Sequence, residues 1–173
     1  MVDRGHIVVG GNLAQQTARD VARNGASALP PELRMVLDAA PLDAAAAGSL
    51  DDSLIQGHCG HLTAARLPAM GWAQRGRDAA MYATIVEQMR KRPAQPATVV
   101  LLAGNGHVRR DYGVAQLLRM LQPQWRVLLI GFAELGETLQ ETDDRSYDIV
   151  WRTPAADRED PCLAFRSMPR PTR

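Results

Sequence analysis

The stretch Ala103-Gly104-Asn105-Gly106-His107-Val108-Arg109-Arg110 follows directly on the apolar run Thr98-Val99-Val100-Leu101-Leu102, and this junction decides the fold class. A continuous run of β-branched and aliphatic residues, fed by a helical segment, reads as a buried central strand of a parallel sheet. Ligands collect at the carboxyl ends of such strands in open α/β sheets. His107 is therefore expected at a ligand-facing strand end. Gly104 and Gly106 permit positive φ and close approach, so the turn through Asn105 can present bare N–H groups and the imidazole to one point. The competing reading is a plain tight connection whose histidine bonds a backbone carbonyl. Because the chain has only four histidines, the functional reading is preferred.

Working outward, Ile7-Val8-Val9 reads as a strand ending in Gly10-Gly11-Asn12, and residues 13–23 as a helix stopped near Asn24-Gly25. The Gly-Gly-Asn turn invites a phosphate-binding reading, but without the full dinucleotide fingerprint a simple strand-to-helix turn is favoured. Residues 31–37 predict a short helix and 44–47 a connection. From Ala69 through Trp72, Arg77, Met81, Ile85 and Met89 to Lys91-Arg92 runs the most secure helix, stopped by Pro93. Its methionines are core filling, and Tyr82 is a partly buried helix residue. Residues 114–121 predict a helix, 125–132 and 147–151 strands, and 134–146 a surface loop. This alternation implies an α/β fold with a mainly parallel sheet flanked by helices. The chain reads as one α/β domain over residues 1–165, with a disordered tail over 166–173.

The chain's 173 residues, 46% of them hydrophobic, suffice for one core. A formal net charge of +1 supplies no long-range field, so no nucleic-acid partner is expected. No apolar stretch is long enough to cross a bilayer, and Met1-Val2-Asp3-Arg4-Gly5-His6 lacks the apolar centre of a secretion signal, which predicts a cytoplasmic protein if expressed as written. Two cysteines, Cys59 and Cys162, are too few for a disulfide scaffold, and whether they meet is left open.

Chemistry concentrates in two places. In Gly57-His58-Cys59-Gly60-His61 a helical backbone would set His58 and His61 on one face, and His58 with His107 could hold zinc or another divalent metal. Flanking glycines favour a capping or loop role for His61 and leave His58 evenly balanced. The second place, His107-Val108-Arg109-Arg110-Asp111-Tyr112, carries the polar parts that haem requires. His107 or Tyr112 is a candidate axial ligand, and Arg109 and Arg110 are candidate partners for propionates. A salt bridge to Asp111 or a solvated face is the simpler reading for either arginine alone. No Gly-x-Ser-x-Gly elbow occurs, Cys59 lacks a visible base, and the acidic pairs Asp51-Asp52 and Asp143-Asp144 read as solvated.

Gly57-His58-Cys59-Gly60, Leu67-Pro68-Ala69-Met70 with Gln74 and Arg77-Asp78-Ala79-Ala80-Met81, the strand end through Arg109, and Arg158-Glu159-Asp160-Pro161-Cys162 occur in an order that resembles the ChaN-like family, grouped with the Tiki and TraB proteins. The resemblance runs from about Gly10 to Cys162. It implies an α/β fold, a bacterial envelope lipoprotein, haem held between the protomers of a homodimer, and a role in haem or iron uptake. Membrane contact would come only through a lipid anchor that this chain lacks. Relatives in the wider superfamily pair a Gly-x-x-His motif with a glutamate for metal-dependent hydrolysis, and Gly104-Asn105-Gly106-His107 fits that short pattern. The family's amino-terminal signal, lipidation cysteine and Gly-Glu-x-His-like strand end have no counterpart here. The chain thus reads as the carboxy-terminal portion of the family domain, an incomplete version that is a haem binder first, and otherwise a metal-dependent hydrolase or a truncated domain without function.

Overall fold

Helix α4, Leu67–Arg90, is the element on which helices α1 (Gln15–Asn24), α2 (Pro31–Ala39), α3 (Ala44–Gly57) and α5 (Val114–Leu121) all pack. The computed structural model describes residues 6–91, 98–135, 145–160 and 162–163. Strands β1, Ile130–Glu134, and β2, Ile149–Thr153, pair in parallel with Ile130 opposite Ile149 and Phe132 opposite Trp151. The fold is thus mixed α/β, and its sheet among the described residues is this parallel pair. No described helix is long and apolar enough to cross a membrane.

Local chemistry explains the helices. Pro31 sits in the first turn of α2, where its missing N–H costs nothing, and α4 likewise carries Pro68 in its first turn. Asp43 caps α3 by accepting from the Ala46 N–H at 2.8 Å. The alanine-rich segment after it, expected as a connection, is therefore a full helical start, because alanine has the highest helix propensity and the cap is in place. The core forms where Val21, Leu33, Leu37, Ala79, Tyr82, Ile85 and Leu117 interlock between α4 and its neighbours.

Two expected strands are absent from the sheet. Residues 7–9 and 98–102 run without ladder partners among the described residues, and Ile7, Val8, Val100 and Leu102 are exposed. An apolar run becomes a strand only when a neighbour supplies hydrogen bonds, and neither segment has one here. The strand expected over 125–132 begins later, at Ile130, because its partner does. Pairing opens where the Asp148 and Ile149 N–H groups donate to the Leu129 carbonyl at 2.9 and 3.0 Å. The expected stop at Pro93, most of the loop over 134–146 and the tail over 166–173 lie outside the described residues.

Helix α3 ends in a Schellman arrangement: the Cys59 N–H donates to the Gln56 carbonyl and the Gly60 N–H to the Ile55 carbonyl, each at 2.9 Å. Cys59 has φ 55°, a left-handed conformation that ordinarily selects glycine. It keeps its side chain because it is disulfide-bonded to Cys162, 103 residues away in sequence. Arg158 also pairs with Glu134 at 2.8 Å, so the segment approaching Cys162 is tied to the end of β1.

Reducing the disulfide, or replacing Cys59→Ser, should lower stability by about 2–4 kcal/mol because it releases a long closed loop. Urea unfolding of oxidised and reduced protein, read by far-UV circular dichroism, checks this, and coincident curves would contradict it. A second expectation concerns Gly113, where an added Cβ would lie 2.4 Å from the His107 carbonyl oxygen and 2.9 Å from the Arg109 nitrogen. Backbone cannot yield as a flexible side chain can, so Gly113→Ala should destabilise by about 1–3 kcal/mol in the same assay.

Candidate functional site

The turn after residues 98–102 closes as a short 3-10 helix, Asn105–His107, in which the His107 N–H bonds the Gly104 carbonyl at 2.9 Å and the Val108 N–H bonds Asn105 at 3.1 Å. The turn does not use the left-handed freedom expected of its glycines. Gly104 has φ −62°, and neither it nor Gly106 is left-handed. The nearest atom to a Cβ on Gly106 would be the Gln74 amide nitrogen at 3.7 Å, and Gly104 faces open space.

Asn105 acts as an extension of the sheet. Its side chain accepts from the Phe132 N–H at 3.1 Å and donates to the Phe132 carbonyl, taking both bonds that a neighbouring strand would offer β1 there. Tyr147 donates from its hydroxyl to the Asn105 carbonyl at 3.1 Å. Arg110 pairs with Asp148, and its N–H donates to Ser146 at 2.9 Å. That guanidinium holds the Asp148 carboxyl below its ordinary range. The turn bearing His107 is thus clamped to the sheet at several points.

From the opposite side α4 supplies the group that sets the histidine's chemistry. His107 Nδ1 lies 2.7 Å from Asp78 Oδ1, and the Gln74 amide nitrogen lies 3.1 Å from the same ring nitrogen. The Asp78 side chain is 0% exposed and that of His107 is 18% exposed. Asp78 Oδ2 has no hydrogen-bond partner among the described residues. Burial raises the Asp78 carboxyl from 3.8 to about 6, with the His107 bond opposing part of the rise. His107 Nε2 makes no hydrogen bond among the described residues, so it is the atom left for a ligand.

The other expected residues are distributed differently. Tyr112 is 1% exposed and packs on Leu50 and Leu54, and burial pushes its phenol up. Arg109 forms a bidentate pair with Asp111 at 2.9 and 3.0 Å and lies over the Tyr112 ring, so most of its surface is used within the protein. The Arg110 side chain remains 33% exposed. His58 caps α3, its Nδ1 donating to the Leu54 carbonyl at 2.7 Å. It is not brought with His107 into any group of three or more His, Cys, Asp or Glu side chains among the described residues. The cleft beside the turn, about 170 Å³, is lined by Ser53, Gln56, Gly106, Phe132, Tyr147 and Val150 among others.

Asp78 was not singled out from the sequence as a site residue, although a signal was present. Arg75, Asp78, Tyr82, Ile85 and Met89 recur at helical spacing, so two charged residues interrupt an apolar stripe that faces the core.

Residues 2–118 match the family model described as haem-binding uptake, Tiki superfamily, ChaN. The chain belongs to the ChaN family. No curated protein and no solved structure matches it. The match takes in α1 to α4 and the His107 turn, and continues to Leu118 within α5. In this ChaN-family chain the matched region therefore contains both Asp78 and His107.

Asp78 carries a pH signature. The unfolded carboxyl ionises near its ordinary value and the folded one near 6, so the folded state binds more protons between the two. Its contribution is harmless below the unfolded value and becomes a penalty as pH rises through the folded value. Relative to Asp78→Asn, the wild-type chain should lose roughly 2–3 kcal/mol of unfolding free energy between about pH 4 and pH 7. Urea midpoints of both proteins across that range check it, and a constant difference would contradict it.

Proposed function

We propose that this chain binds haem through His107 and acts in bacterial haem or iron uptake. The observation that carries the reading is the imidazole whose Nδ1 is engaged by a buried carboxylate while Nε2 is unbonded, within the region matched by a haem-uptake family. A second shell of this kind orients an imidazole and strengthens it as a donor to a metal. Haem, when bound, supplies an iron that accepts an axial nitrogen. The donor chemistry fits that cargo better at His107 than at Tyr112, whose ring is enclosed by its own core.

Arg110 is the better of the two arginines for a propionate, since Arg109 is committed to Asp111 and Tyr112. Apolar cover is available from Ile130, Phe132, Ile149 and Trp151, exposed residues that the parallel register sets on one face of the sheet. The cleft of about 170 Å³ is smaller than the roughly 300 Å³ at which enclosed ligand pockets begin. A macrocycle would therefore lie on a surface and gain enclosure from a second copy, which supports a homodimer with haem between its protomers. The Cys59–Cys162 disulfide supports an oxidising compartment such as the bacterial cell envelope.

Titration of the purified chain with haem, followed by absorbance and size-exclusion chromatography, tests this. A saturable Soret shift with defined stoichiometry is expected, and His107→Ala should weaken binding by at least about tenfold. A folded chain with no saturable shift, or a His107→Ala variant that binds as the wild type does, would overturn the assignment.

A further inference from the structure

We propose that Asp78 is a positioning residue, whose buried carboxylate keeps the ring proton of His107 on Nδ1 and so leaves Nε2 as the electron-pair donor. The inference rests on the reading of His107 as the haem-binding residue for its consequence, but not for its geometry.

Two groups compete for Nδ1. The Gln74 amide nitrogen, at 3.1 Å, can only donate and so asks for an unprotonated Nδ1. The Asp78 carboxylate, at 2.7 Å, can only accept when ionised and asks for the opposite. The contest is uneven. Gln74 keeps an uncharged amide that can turn its oxygen towards the ring, since amide orientation follows from the hydrogen-bond network. Asp78 has no such latitude: it is wholly buried, and its second oxygen has no partner among the described residues. A buried carboxylate without a donor is far costlier than a misplaced amide. The proton therefore stays on Nδ1, and the Nδ1–H donates to Asp78 Oδ1.

The placement follows from the helix. Gln74 and Asp78 are four residues apart on α4, so both reach the same ring from one face. Arg75, three residues before Asp78 on the same stripe, adds positive potential that favours the ionised carboxylate. A charge-assisted bond to Nδ1–H makes the imidazole a stronger donor at Nε2 and restrains ring rotation.

The test reads the ring directly, without haem. Long-range ¹H–¹⁵N correlation spectra of the ¹⁵N-labelled whole chain at pH 7.5, with His107→Ala used to assign the signals, should show His107 protonated at Nδ1 and unprotonated at Nε2. Neither Asp78→Asn nor Asp78→Ala leaves a buried carboxylate that demands the Nδ1 proton, so the preference for Nδ1 should weaken in both. Both variants should move the proton towards Nε2. A wild-type His107 protonated at Nε2 would overturn the proposal, as would an unchanged pattern in both variants. If neither variant folds, the wild-type spectrum alone decides.

A second arm uses haem-loaded protein. Asp78→Asn should retain the wild-type stoichiometry, while the ferrous iron–imidazole stretching band moves to lower frequency and the midpoint potential rises. A merely structural role would move neither. Unchanged band and potential in a loaded Asp78→Asn protein would overturn the proposal. Should the wild-type chain take up no haem while its ring pattern is as expected, the haem reading falls and the placement of the proton by Asp78 stands. Haem uptake together with an Nε2-protonated ring would reverse that outcome.

Discussion

Everything in this molecule is arranged around two charged side chains buried on one helix. Arg75 of α4 is almost wholly enclosed, and burial pulls its pKa down. A guanidinium in that position must find acceptors for its fork of N–H groups or the fold fails. It finds them in the Tyr112 carbonyl, in the Ala40 carbonyl at 3.2 Å and in Gln116 Oε1 at 3.0 Å. Those partners belong to the residue after α2, the segment entering α5, and α5 itself. One side chain thereby ties two separate stretches, the end of α2 and the start of α5, to α4. Gln116 completes the junction by donating to the Ala40 carbonyl at 3.2 Å.

Asp78 extends the same constraint towards the surface. Lying one turn further along α4, it meets the histidine of a turn that residues 98–102 deliver from the opposite direction. The turn is held on its other side by Asn105, Tyr147 and Arg110 against the parallel strands. His107 is consequently positioned between a helix and a sheet that have no other reason to meet at that point. Gly113 permits it, because the chain returns past the His107 carbonyl too closely for any side chain. Arg110 fastens this turn to Asp148, while Arg109 pairs locally with Asp111.

The helices were legible because their signals are local. Spacing of apolar residues marked α4 and α5, and prolines and glycines marked the ends of α1 and α2. Helix α3 was partly hidden, since its alanines show little periodicity and Asp43 discloses its cap only when Ala46 is seen to bond it. The strands were harder. Residues 7–9 and 98–102 have every local property of strands, yet pairing is not a local property, and these segments have no ladder partner among the described residues. His107 stood out as a candidate from its scarcity and its place after an apolar run, while the contact of Asp78 with it spans 29 positions of sequence.

By itself the sequence determined the class of the fold and the family motifs and singled out His107 as a candidate, because each is carried by residue type and short-range spacing. Tertiary structure alone decided which polar groups meet. It placed Tyr112 inside the core, made His58 a helix cap, joined Cys59 to Cys162 and set Asp78 against His107. Those outcomes turn on distances between segments far apart in the chain. The hydrogen-bonding demand of buried groups settles them once packing has removed the water that would otherwise satisfy it.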